Sequence, residues 1–137
     1  MKKLFVILTV VIVVSLAISA VSAQENIKGL NISSDLNHTL NDAKIENKSV
    51  LVVFTQDSCQ YCDMFDKDVL SDSEVQKELN KTCKVVFIDI NKDSSTAARY
   101  NVFGTPASVF IDSNGSEIER IEGYVDAGQF LNTLRGI

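Results

Sequence analysis

Two cysteines three positions apart, in Cys59-Gln60-Tyr61-Cys62, are the residues of this chain best placed by type and spacing to do chemistry. On the first turn of a helix, that spacing lets two sulfurs close a small disulfide ring with tolerable strain. A thiolate is the reactive form of cysteine, and the unpaired N–H groups and dipole of a helix N-terminus favour it. A thiolate so placed attacks a disulfide in another molecule to give a mixed disulfide, and the second cysteine, one turn further in, resolves it. On this reading Cys59 is the exposed nucleophile, Cys62 the shielded resolving thiol, and Cys59–Cys62 the oxidised form. The same pair also suits half of a zinc site or an inert structural disulfide. Zinc takes about four ligands, and the remaining good donors, Cys83 and His38, stand in no knuckle spacing. A structural disulfide over so short a loop would constrain the unfolded chain little. We therefore expect no metal and no cofactor.

The surrounding elements must hold those sulfurs at a helix start. Val50 to Phe54 is a continuous apolar run of strand length, as expected for a strand buried on both faces. Thr55 to Ser58 turns out of it, and Cys59 opens a helix whose inner face continues through Phe65 and Val69. Ser71-Asp72-Ser73-Glu74 has capping-box spacing and starts a helix with Val75 and Leu79 inward. Val85 to Ile90 is a second buried strand, Ser94 to Tyr100 one or two helical turns, and Ala107 to Ile111 a third strand. Asn114-Gly115 predicts a hairpin into a fourth strand around Ile118 to Ile121. Asp126 and Gln129 cap a last helix burying Phe130, Leu131 and Leu134. Upstream, Ser33 or Ser34 caps a helix with Leu36, Leu40 and Ala43 on one face. The expectation is one α/β domain over 34–137, built on a four-stranded mixed sheet flanked by helices. Strands joined through helices should be parallel, and the hairpin should add antiparallel ones.

In that order the residues from Val50 onward resemble the thioredoxin superfamily, and in particular its exported thioredoxin-like members. The resemblance rests on Val50-Leu-Val-Val-Phe54 before the cysteine pair, Tyr100-Asn-Val-Phe-Gly-Thr-Pro106, Asn114-Gly115, and Gly123 before the last helix. The helix at 35–46 resembles the extra N-terminal helix of these exported relatives. The resemblance implies a thioredoxin-like fold and a thiol–disulfide oxidoreductase acting on protein thiols and disulfides. It implies that Pro106, the only proline in the chain, follows a cis peptide bond beside the cysteines. It further implies that Thr105 pairs its main chain with an extended substrate segment. Tyr61 either shapes substrate contact or covers the helix start. Two rival readings are a redox-inert binding module on the same fold and an electron carrier for one membrane partner. Cytosolic thioredoxins carry tryptophan where this chain has Ser58, and Gly-Pro where it has Gln60-Tyr61. Their buried aspartate and its lysine partner align with Val53 and Phe87.

The N-terminus carries Lys2 and Lys3, an apolar stretch from Leu4 to Val14 broken by Thr9, and Val21-Ser22-Ala23. This reads as a signal peptide over 1–23 with small residues for peptidase cleavage. Left uncut, Leu4 to Ala23 could just span a bilayer as an anchor. Either way the domain works outside the cytoplasm, and it meets a membrane only if the segment is retained. Residues 24–33 are polar and aperiodic, as in a tether. The formal net charge of −5 and the lack of a basic stripe argue against nucleic-acid binding. Of three cysteines, Cys83 is left over and reads as a small buried hydrophobe at a strand start. His38, with polar neighbours, reads as solvated, and Asp63, Asp66 and Asp68 as a wet helix face. Asn31, Asn37, Asn47, Asn80 and Asn114 each open an N-x-[ST] sequon.

Overall fold

The computed structural model describes residues 27–137. The signal peptide or anchor assigned to 1–23 and the first residues of the tether lie outside them. In chain order the elements are β1 (Ile32–Ser33), α1 (Leu36–Glu46), β2 (Ser49–Thr55), α2 (Gln60–Phe65), a π-helical turn (Asp66–Leu70), α3 (Ser73–Thr82), β3 (Cys83–Asp89), α4 (Ser94–Arg99), β4 (Ala107–Ile111), β5 (Glu117–Glu122) and α5 (Ala127–Leu134). They build an α/β layered domain around one sheet of five strands in the order β1-β3-β2-β4-β5. β1, β3 and β2 run parallel, whereas β4 and β5 are antiparallel to their neighbours.

The expected four strands are thus corrected to five. The extra strand is β1, inside the stretch read as a tether, where Ile32 and Ser33 register with Val85 and Val86 of β3. A two-residue strand is too short to display a period of two, so no pattern in the sequence announces it. What holds it is a single apolar contact set: Ile32 is 2% exposed and joins the core, with Ile27 and Leu30 packed against that core.

The central strands are apolar throughout because both faces of the sheet are covered. Leu51, Val53, Val85, Phe87 and Phe110 point to the side of α2, α3 and α5, meeting Phe65, Val69, Leu79, Phe130 and Leu134. Val50, Val52, Phe54, Val86, Ile88 and Val109 point to the side of α1 and α4, meeting Leu36, Ala43, Ala97 and Tyr100. Neighbours along each strand therefore alternate between two cores. Each such side chain, fully buried, stabilises the fold by about 1.5–3 kcal/mol relative to exposure. Phe65 matters most for the site, since it ties the cysteine-bearing helix α2 to α5. Its ring meets Phe130 edge-on at 5.4 Å, and Phe130 lies 5.7 Å from Phe110 on the sheet.

Helix ends follow the expected chemistry with small shifts. Asp35, rather than Ser33 or Ser34, caps α1 by accepting from the His38 N–H. Asp72, one residue past the expected Ser71, caps α3 by accepting from the N–H groups of Glu74 and Val75. In both cases a carboxylate takes the position from a neighbouring hydroxyl, adding charge where the helix dipole rewards it. Ser71 instead donates to the Asp66 carbonyl, closing the π-helical turn. The β4–β5 hairpin turns at Gly115 (φ +88°), and Asp112 accepts from the N–H groups of Asn114 and Ser116 across the loop.

Candidate active site

β2 delivers the chain to the site and ends at Thr55, after which residues 56–58 turn sharply. Ser58 sits in the left-handed region at φ +59°, a conformation that costs a non-glycine residue about 1–2 kcal/mol. The turn leaves Cys59 extended as the N-cap of α2, its sulfur accepting the Cys62 N–H at 3.1 Å. Cysteine thus stands where serine or aspartate usually satisfies an orphan amide. That places the sulfur directly against the positive end of the helix. Cys59 and Cys62 are joined as a disulfide with Cα atoms 5.2 Å apart. Cys59 is half-buried, and Cys62 is 5% exposed.

The segment from α4 into β4 brings its own residues to the same sulfur. Asn101, left-handed at φ +53°, ends α4, and the Val102 N–H returns to the Ala97 carbonyl at 2.9 Å. Val102 is buried while Phe103 is 88% exposed. The Thr105–Pro106 peptide bond is cis, and the Gly123 N–H donates to the Pro106 carbonyl at 2.9 Å. The Thr105 hydroxyl donates to the Cys59 sulfur at 3.4 Å. A shallow groove runs beside this point, lined by Phe103, Gly104, Thr105, Pro106, Glu122 and Gly123.

On the other side, Tyr61 is 59% exposed, and its ring lies 6.4 Å from that of Tyr124. The Tyr124 hydroxyl donates to Asp68 on the π-helical turn at 3.4 Å. Desolvation, then the Asp68 carboxylate, pushes the Tyr124 phenol above its ordinary range. The fold places Cys59, Cys62 and Tyr61 at the start of α2 and brings Thr105 and Pro106 to the same edge. It adds Tyr124, Asp68 and Phe103, which sequence reasoning missed. Tyr124 offered one signal, an aromatic directly after Gly123 at the mouth of the last helix.

Other candidates lie elsewhere. Cys83 is buried at the start of β3, and burial pushes its thiol up, while its sulfur accepts from the Thr82 hydroxyl. His38 is exposed on α1 and pairs with Asp42 at 3.3 Å. Val53 and Phe87 are both buried and lie side by side in the β2–β3 register. The interior behind the cysteines is therefore apolar where an ionisable pair would otherwise stand. Among the described residues no group of three or more His, Cys, Asp or Glu side chains is placed to hold a metal ion. None of their helices is long and apolar enough to cross a membrane.

The chain is similar to known proteins over most of this domain. It is 34% identical over 99 residues to a thiol:disulfide interchange protein DsbD of Yersinia pestis, covering 68% of this chain and 16% of that protein. It is 38% identical over 95 residues to the Haemophilus ducreyi DsbD, covering 65% and 16%. It therefore spans about a sixth of the length of these curated relatives. Among solved structures, a thioredoxin from Thermus thermophilus superposes with a TM-score of 0.72 at 28% identity, covering 80% of this chain and 87% of that one. The oxidised C-terminal domain of Neisseria meningitidis DsbD shares the fold, with a TM-score of 0.65 at 23% identity, covering 77% and 98%. A thioredoxin-like domain model matches residues 36–137. That match takes in α1 through the last helix with the cysteine pair inside it, so the chain belongs to the thioredoxin-like family and carries a thiol–disulfide exchange active site.

Proposed function

We propose that this protein exchanges disulfides with other exported proteins, with Cys59 as the nucleophile and Cys62 as the resolving thiol. The observation that carries this is the asymmetry of the pair: Cys59 is half-open at a helix N-terminus beside Thr105, and Cys62 is buried one turn inside. The names of the Yersinia and Haemophilus relatives point to the same chemistry. In the reducing direction the Cys59 thiolate attacks one sulfur of a substrate disulfide. A Cys59–substrate bond forms, the substrate bond breaks, and its electron pair leaves with the other sulfur. Cys62 then loses its proton and attacks the Cys59 sulfur, closing the Cys59–Cys62 disulfide and expelling the second substrate sulfur. The protons given up by Cys59 and Cys62 end on the two substrate thiols. The reverse sequence oxidises a dithiol.

Substrate seats along the Thr105–Pro106 edge, where Thr105 offers its main chain to an extended segment. Tyr61 lies against that segment. The domain works outside the cytoplasm, delivered by a leader over 1–23 that is cleaved after Ala23.

Replacement of Cys62 with Ala tests the assignment. This variant should accumulate mixed disulfides through Cys59, visible on non-reducing gels, and the Cys59→Ala variant should accumulate almost none. Equal trapping by both would overturn the division of labour. Insulin reduction separates exchange from a redox-inert binding module: no turnover with the intact pair would favour the module. Mass spectrometry of protein from its native host reads the mature N-terminus, and a chain still starting at Met1 and extracted only by detergent would establish the anchor.

A further inference from the structure

We propose that the end of the domain away from the cysteine pair is a glycan-bearing face, with N-linked oligosaccharides on Asn31, Asn47, Asn80 and Asn114. This rests on the location outside the cytoplasm and leaves the exchange chemistry untouched. Five Asn residues open an N-x-[ST] sequon, the acceptor of N-glycosylation in exported chains. With 10 Asn in the chain and Ser or Thr at 21 of 137 positions, chance would supply about one or two.

The fold gathers four of the five at one end. β2 and β3 both start there and run toward the cysteines, Ser49 registering with Cys83 and Thr55 with Asp89. Asn47 stands just before β2, Asn80 just before β3, and Asn31 immediately before β1, whose Ile32 registers with Val85. Two contacts tie these three triplets together. The Asn80 side-chain amide donates to the Gly29 carbonyl at 3.0 Å, and Lys48, the middle residue of the Asn47 sequon, donates to the Asn80 carbonyl at 2.9 Å. Asn114 reaches the same end because β4 runs antiparallel to β2, with Ile111 beside Val50, and the hairpin turns there. The cysteine pair follows Thr55 at the other end of β2, about 20 Å away at strand rise. All four Asn residues are exposed. The Asn residues at the cysteine end show the converse. Asn91 and Asn101 are also exposed, yet Asp93 and Phe103 stand where a sequon needs its hydroxyl. Asn37, the fifth, lies off this face on α1, where Thr39 is 3% exposed and its hydroxyl donates to the Asp35 carbonyl.

In the transfer, the Asn amide nitrogen attacks C1 of a sugar carried on a lipid-linked phosphate or pyrophosphate, within the host's oligosaccharyltransferase. The C1–Nδ2 bond forms and the C1–O bond breaks. The electron pair of that bond leaves with the phosphate, and the nitrogen gives up one proton. One hydrogen stays on Nδ2, so a modified Asn80 can still donate to Gly29. Bulky, solubilising sugars then cover the end that holds no cysteine pair and leave the groove beside Thr105 open.

The test is the mass of the protein secreted by its native host, intact and as mapped proteolytic peptides. The intact mass should exceed that of the bare chain by whole oligosaccharides, and the peptides holding Asn31, Asn47, Asn80 and Asn114 should carry them. Asn31→Gln, Asn47→Gln, Asn80→Gln and Asn114→Gln should each remove one. Ser116→Ala keeps Asn114 but deletes the hydroxyl of its triplet, and it should remove the same oligosaccharide as Asn114→Gln. Peptide mapping of the parent needs no variant, so a replacement that fails to fold leaves the answer intact. Sugars on two or more of the four positions uphold the face. Sugars on one or none overturn it, as does a Ser116→Ala chain still modified at Asn114. The exchange assignment fails separately, if the parent does not reduce insulin whatever its mass.

Discussion

A cysteine's reactivity follows from where its sulfur sits, and the two sulfurs of this pair sit differently. Cys59 caps a helix and Cys62 is packed beneath it. That difference was legible in the sequence because it depends only on a three-residue spacing and a helix start. The contacts of Thr105 and Tyr124 were not, because each joins elements far apart in the chain. Ser58 belongs with these hidden features: nothing in its type requires the left-handed backbone it adopts. It makes a local prediction. Ser58→Val should lower stability by about 1–3 kcal/mol, since a β-branched residue tolerates that conformation poorly. Ser58→Gly should stay within about 1 kcal/mol of the parent, because relieved strain offsets the entropy of a freer unfolded chain. Urea unfolding midpoints of the oxidised proteins would show the order. A Val variant as stable as the parent would deny that the turn is strained.

Elements were legible in proportion to the length of their pattern. β2, β3 and β4 announce themselves as apolar runs, and their bounds lie within two residues of those expected. The two-residue β1 has no pattern to read, and the caps of α1 and α3 each lie one or more residues from their expected places. Those caps are nonetheless energetic. Asp72→Ala leaves two amides at the start of α3 without their acceptor, and should lower stability by about 1 kcal/mol, read from thermal or urea unfolding. The β4–β5 loop gives a pH dependence of known sign. Hydrogen bonds from the Ser116 and Asn114 N–H groups hold the Asp112 carboxyl below its usual 3.8. A depressed carboxylate contributes stability that is complete above its unfolded value and is lost as pH falls through the lower folded value. Wild type should therefore lose stability relative to Asp112→Asn only below about pH 4. A gap between them that instead widens on acidification would contradict the assignment.

For the molecule as a whole, the open quantity is the redox poise of the disulfide. A strong oxidant is one whose reduced form is stabilised, chiefly through a very low thiolate pKa. The helix N-terminus and the Thr105 hydroxyl pull in that direction, while Asp57 and Asp63 oppose them and no cation stands within the motif. The span from thioredoxin to the strongest oxidants is about 150 mV, or about 7 kcal/mol for two electrons. Two neutral donors working against two carboxylates fall well short of that. We expect a potential below roughly −200 mV and a Cys59 pKa above about 6. Titration in glutathione buffers measures the first, and a value near that of the strong oxidants would sink the argument.

The order of strands carries one more consequence. An open strand at the rim of a sheet is a seed for clumping with any chain that carries unpaired backbone. Here one flank of the sheet is partly screened by the short β1, and the other is β5, whose exposed Glu117, Glu119 and Glu122 surround a single Arg120. Acidic side chains along a rim make it a poor template for another strand, a protection that salt would thin and acid would erase.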